Sequence, residues 1–311
     1  EDQGDCNDNP DDGGSLIGPG AIEVAVNAEG EPELIDNDCD GIVDEGIEPC
    51  PTDLLVGDGF AFAAAIEVCH QTIQANFSAN MDTRGQNILP GYGNVYVPFV
   101  GPTLAVLSNG IAIDANDPAF VFQSADFSVS NPDPDSAVTG NVQDLSSITL
   151  SLQVPSNANS FSFDFNFMSI EFPEYVGDVF DDTFLALLES EAFTGNVSFD
   201  SLGNQMSINA GFMDVCAIGL AASCTGEDDL IGTGFEVTPE TPTVAEIDGG
   251  GTGWLTTTAP VIPGEKIKIT FLIYDDGTDI FGIPDHVLNS TVLIDNFRWG
   301  IEEVDGPVTV D

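Results

Sequence analysis

Charge imbalance constrains this chain more than any other feature. Its 311 residues include 53 Asp and Glu but only four basic side chains, Arg84, Lys266, Lys268 and Arg298, for a formal net charge of -49. Internal salt bridges cannot neutralise that excess, so the carboxylates must stand in water, hold cations, or do both. Nucleic acid and anionic membrane are poor partners for it, because each needs a basic surface. The chain is nonetheless no acidic random coil. Hydrophobic residues make up 42% of it and 21 are Phe, enough apolar surface for a sizeable core.

The apolar residues are patterned for strands. In "SITLSLQV" Ile148, Leu150, Leu152 and Val154 fall on one face, and in "SFSFDFNFMSI" Phe161, Phe163, Phe165 and Phe167 do the same. "KIKITFLI" repeats the pattern with Ile267, Ile269, Phe271 and Ile273. Strict alternation marks half-buried strands of an antiparallel sheet. Turn signals such as "SLGNQ" and "DGGGTG" separate them. The expected fold is an all-β, antiparallel β-sandwich of jelly-roll type, preceded by an acidic calcium-loop segment. One short helix is expected over Gly59 to Thr72, where "GFAFAAAIEVCHQTI" has near-3.6 apolar spacing. The division expected is residues 1–49 as the acidic segment, 50–300 as the sandwich, and 301–311 as a tail. "AIEVAVN", from Ala21 to Asn27, and "VTV", around Val308 and Val310, read as short strands. The second has no obvious hairpin partner, which suits pairing with another subunit.

Six cysteines, Cys6, Cys39, Cys50, Cys69, Cys216 and Cys224, form an even set, with only two His to support a zinc site. They predict three disulfides and an oxidising, extracellular compartment. No run approaches the ~20 apolar residues of a membrane span, so no membrane insertion is expected. The chain opens at Glu1 without Met or an apolar leader, which reads as a mature secreted product.

The stretch "DNDCDGIVDEG" places carboxylates at Asp36, Asp38 and Asp40, with Gly41 next. Alternate side chains of such a loop converge on one point, and the Gly permits the turn that brings the following carbonyl, that of Ile42, inward. Hard oxygen donors without His or thiolate favour calcium. Position 12 of a helical calcium loop would fall on Ile47, which cannot chelate, so Asp44 or Glu45 must supply the later carboxylate. A solvated acidic turn is the competing reading. A second acidic cluster, "EFPEYVGDVFDD", gathers Glu171, Glu174, Asp178, Asp181 and Asp182 after a core strand, with Asp275, Asp276 or Asp295 as further donors to a second cation.

The segment "DCNDNPDDGG...GPGAIEV...DNDCDGIVDEG" resembles the MopE-type metal-binding motif of bacterial surface proteins, and more loosely the aspartate-rich repeats of thrombospondins and the dockerin loops. The resemblance covers residues 5–46. It implies calcium held by Asp36, Asp38, Asp40, Asp44 and Glu45, with Asp5, Asn7 and Asp8 from the first half, and a Cys6–Cys39 disulfide closing the motif. The chain departs from the family in carrying "AVNAEGEPELI" where a Cys-Asp-Gly usually follows. Residues 50–300 resemble the bacterial choice-of-anchor L domain, through "LSNGIA", "SFDFNFMSIEFPEYVGDVFDDTF", "GNVSFDSLGN", "GTGWLTTTAPVIPGE" and "VLIDNFRWG". That family implies a secreted or surface β-rich domain and no established enzymatic activity.

No catalytic constellation is legible. His70 and His286 lack a nucleophile elbow, and no carboxylate pair is singled out for glycoside hydrolysis. Arg298 reads as a structural salt-bridge partner, and Trp254 and Trp299 read as core rather than as sugar platforms. Asn76, Asn196 and Asn289 lie in N-x-S/T sequons. The function expected is a calcium-stabilised, non-enzymatic structural protein, a self-assembling subunit of a bacterial surface filament joined by strand addition. Its partners would be copies of itself. The alternative is a secreted adhesin or carbohydrate-binding module for surface glycans, with structural calcium.

Overall fold

The computed structural model describes residues 17–23, 35–39, 41, 43, 50–52, 54–121, 128–130, 141–177, 182–236, 248–275 and 289–311. Of the residues singled out above, Asp5, Cys6, Asn7, Asp8, Asp40, Ile42, Asp44, Glu45, Asp178, Asp181, Asp276 and His286 lie outside that set.

One helix, α1 (Gly59–Ala65), precedes the strands β1 (Thr72–Phe77), β2 (Gln86–Leu89), β3 (Leu104–Ser108), β4 (Ser128–Ser130), β5 (Asn141–Gln153), β6 (Ser160–Ser169) and β7 (Thr183–Glu189). Then follow β8 (Thr194–Asn196), β9 (Met206–Ser207), β10 (Val215–Cys216), β11 (Gly250–Gly251), β12 (Leu255–Pro260), β13 (Lys266–Asp275), β14 (Ser290–Gly300) and β15 (Val308–Val310). One sheet runs β1-β5-β13-β7-β8, with β4 against β5 and β9 against β7. The other runs β10-β11-β6-β14-β3-β2, with β12 against β6 and β15 against β12. The chain passes from one sheet to the other between β1 and β2, β3 and β4, β5 and β6, β6 and β7, β9 and β10, β12 and β13, and β13 and β14, as a jelly-roll type of sandwich does repeatedly.

The alternating residues face inward as the period of two demands. Phe161, Phe163, Phe165 and Phe167 of β6 are fully buried, with Ile148, Leu150 and Leu152 of β5 and Ile267, Ile269, Phe271 and Ile273 of β13 in the same core. Ile148 pairs with Phe271 and Leu150 with Ile269, so neighbouring strands bring their large side chains to the same level. Phe163 meets Phe271 edge-to-face across the sandwich at 5.0 Å, a favourable geometry for the ring quadrupoles. The row of Phe is core and not a binding platform.

The outer face of β6 differs from the sequence expectation. Met168 and Ile170 join Leu104, Val106, Leu293, Tyr92, Tyr96, Leu230 and Phe235 in a second apolar cluster. Alternation predicts solvent on that side. The long excursions around β2 and around residues 228–236 fold back over it, and tertiary cover of this kind leaves no mark on a strand's own period.

The helix is shorter than the apolar spacing predicts. Asp58 caps its start by accepting from Phe60 N at 2.9 Å, and it stops at Ala65. Val68 N donates to Ala63 O and Glu67 N to Ala64 O, the paired bonds of a Schellman stop. Glu67 holds the left-handed position with φ +66°, where glycine is usual. Without that glycine the stop is hidden in the sequence, and Thr72 already begins β1. "AIEVAVN" is also corrected in part: residues 21–23 are not in a strand, and 24–27 lie outside the described residues.

The tail does form a strand, but its partner is in its own chain. Val308, Thr309 and Val310 pair antiparallel with Thr258, Thr257 and Thr256 of β12. Thr309 turns inward and bonds Thr257 Oγ1 at 2.8 Å. The two valines face out, 46% and 50% exposed.

Candidate metal sites

The acidic N-terminal segment is fastened to the sandwich through Asn157, which is buried. Its Oδ1 accepts from Ile22 N at 2.9 Å and its Nδ2 donates to Ile22 O at 3.0 Å. Ser156 N adds a bond to Gly20 O. Ile22 is thus held as a strand partner would hold it, by one side chain. Next to it, Glu23 closes the loop. Its Oε1 accepts from Asn37 N at 2.9 Å and Asp38 N at 3.1 Å, and Gly18 N donates to Asn37 O.

That closure gathers three carboxylates. One ligand oxygen from each of Glu23, Asp36 and Asp38 lies within 4.8 Å of the others, all half-buried. Asp36 Oδ2 also accepts from Gly41 N at 2.9 Å, and Gly41 has φ +96°, the turn that the Asp-x-Asp-x-Asp-Gly spacing predicts. Cys39 sits between them with φ +68° and is disulfide-bonded; Cys6, its expected partner, lies outside the described residues. Oxygen donors converging at this range fit a hard cation. The sequence pointed to Asp36 and Asp38. It missed Glu23, whose only signal was its place between Ile22 and Val24.

The second cluster divides. Glu171 and Asp182 are buried together, and Asp182 N donates to Glu171 Oε2 at 3.1 Å. Asp275, also buried, closes β13 beside them. Glu174 stays exposed on the turn between β6 and β7. Asp295 is not part of this group. It lies five residues along β14 from Ser290, about 16 Å of strand, and accepts from Phe99 N at 2.6 Å and Asn296 N at 2.7 Å. Burial pushes its carboxyl up to about 6; those two bonds pull it down, while the charges of Glu67 and Asp164 push it up. A raised folded pKa means that the native state binds the proton more tightly than the unfolded chain. This contribution is whole below the unfolded value and is lost as pH rises through about 6. The Asp295 carboxyl carbon is therefore expected to titrate near 6 by NMR; a midpoint in the ordinary carboxylate range would contradict this environment.

Arg298 and the two tryptophans make packing and pairing contacts. Arg298 Nη1 meets Asp164 Oδ2 at 3.2 Å, as its sequence setting suggests. Trp299 packs on the main core and Trp254 on the second cluster. Cys50–Cys69 and Cys216–Cys224 are disulfides. Cys50, Cys69 and His70 stand within metal-ligand distance, but a disulfide offers no thiolate. An open groove lined by Phe172, Pro173, Val176, Ile208 and Met213 carries no acid or base. No described helix is long and apolar enough to cross a membrane. No family model, no curated protein and no solved structure matches the chain.

Proposed function

We propose that this chain is a non-enzymatic, extracellular structural subunit, stabilised by calcium and joined to copies of itself by strand addition. The observation that carries the assembly is β15. Among the described residues it pairs with β12 alone, so its other edge is unpaired. It presents two half-exposed valines and no lysine or mid-strand proline. Proteins that stay single guard such edges with charge, proline or a very short strand; here the guards are the strand's three-residue length and its flanking Pro307 and Asp311, and its exposed face itself is apolar. A strand from a neighbour would extend the β6-β12-β15 side of the sheet. The disulfides accord with an oxidising compartment, and the resemblance to the choice-of-anchor L domain points the same way. Calcium at Glu23, Asp36 and Asp38 would offset part of the repulsion between subunits of charge -49.

Electron microscopy of the purified protein in millimolar calcium tests the assembly. Filaments are expected, and deleting residues 307–311 is expected to abolish them while leaving folded single particles. Single particles at high concentration in calcium would overturn the reading. A glycan-binding module is the second reading. It is favoured by exposed Val95, Val97, Phe99 and Val100, with Phe99 packed 4.9 Å from Trp254. Saturable glycan binding lost in Phe99→Ala would support it.

A further inference from the structure

At one end of the sandwich both sheets terminate around a buried carboxylate. Asp182 immediately precedes β7 and is 0% exposed. Glu171 follows β6 by two residues, Asp275 ends β13, Ser290 opens β14, and Asn109 follows β3 directly. All five are buried. Neither carboxylate oxygen of Asp182 has a hydrogen-bond partner among the described residues, and Ser290 Oγ has none either. Asn109 Oδ1 is occupied by Ser290 N at 2.7 Å.

A buried, unpartnered carboxylate is costly in its charged form. Here two more buried carboxylates share the site, and the four Lys and Arg side chains are engaged or placed elsewhere. Arg84 pairs with Asp82, Lys268 with Glu189 and Arg298 with Asp164. Lys266 opens β13, nine residues from Asp275 and so about 30 Å away along the strand. A divalent cation answers all three at once, and oxygen donors alone select a hard one.

We infer that Asp182, with Glu171 and Asp275, binds a calcium-class divalent cation that ties the ends of the two sheets together. The ligand atoms of the three are not among the groups that converge within 4.8 Å, so loading draws at least one of them inward. Ser290 Oγ, buried and without a hydrogen-bond partner among the described residues, is a neutral oxygen left for it. Burial pushes the Asp182 carboxyl well above the usual range, with the charges of Glu171 and Asp275 adding to this; the side chains of Ser290 and Asn109 stand near enough to oppose it weakly, without the geometry of a full hydrogen bond. This site is separate from the N-terminal loop and does not depend on calcium there.

The test is calcium bound per chain, by equilibrium dialysis after chelation and reloading, together with the melting temperature in calcium and in chelator. Wild type, Asp182→Asn and the pair Asp36→Asn with Asp38→Asn are compared. Asp182→Asn is expected to bind one ion fewer than wild type. It should lose part of the calcium-dependent rise in melting temperature, yet in chelator melt no lower than wild type, because an amide does not charge. The loop pair should keep the ion at Asp182. An unchanged ion count and an unchanged calcium-dependent rise in Asp182→Asn would overturn the inference and leave a plain buried acid. Loss of calcium in the loop pair alone would support the loop and sink this site. Should Asp182→Asn not fold, Glu171→Gln is read by the same two criteria.

Discussion

Phe163→Ala is expected to cost about 3–5 kcal/mol, the range for removing a buried aromatic ring. Phe163 is fully buried in the middle of β6. It meets Phe271 of the facing sheet at 5.0 Å and Phe165 at 5.9 Å. Pairing of Phe163 with Thr257 and the close pack of Phe161 on Phe297 at 5.2 Å hold the backbone on both sides. The space left by the ring cannot collapse freely, so the loss combines transfer and cavity terms. Against a total stability of about 5–15 kcal/mol for a domain, this is a large fraction. Phe99, half-exposed on its loop, serves as the control, and truncating it should cost much less. Denaturant unfolding of both variants measures the contrast. Equal, small losses would mean that the Phe row does not join the sheets.

If calcium fills the proposed sites, its removal is expected to have the second large effect. A ligand that binds only the native state at a hundredfold excess over its Kd stabilises by about 2.7 kcal/mol per site. Chelation should therefore lower the unfolding free energy by about that much for each filled site. In the loop the loss has a clear route. With no cation among Glu23, Asp36 and Asp38, three carboxylates within 4.8 Å repel one another. The bonds from Asn37 N and Asp38 N to Glu23 and from Gly18 N to Asn37 O must then hold the closure against that repulsion. Asp36→Asn with Asp38→Asn should remove the calcium response of this segment while leaving the rest of the fold in place.

The sandwich was legible where a strand's own residues decide its fate. Four Phe at alternate positions can bury together only on one face, and β5 and β13 carry the same message. What was hidden depends on partners distant in sequence. The outer cover of Met168 comes from segments more than fifty residues away on either side. The helix stop at Glu67 lacks its usual glycine. β15 looked partnerless because β12 lies some fifty residues upstream, joined to it through β13 and β14. In the loop, Asp-x-Asp spacing with Gly41 announced Asp36 and Asp38, because a tight turn alone brings them together. Glu23 arrives from the other side of the loop, and only the Asn157 clamp and the backbone bonds of Asn37 and Asp38 place it there. Sequence spacing grouped Glu174 with Asp182, and burial separates them; of the further donors it offered, Asp275 lies in the buried group and Asp295 does not.

The central claim is that calcium fixes the acidic N-terminal segment against the sandwich. Hydrogen exchange of the intact protein, read on peptides covering residues 17–23 and 35–39, tests it most directly. The account predicts protection of the Ile22, Asn37 and Asp38 amides in calcium and rapid exchange in chelator, with β5, β6, β13 and β14 protected in both. Equal protection of the two peptides with and without calcium would contradict it.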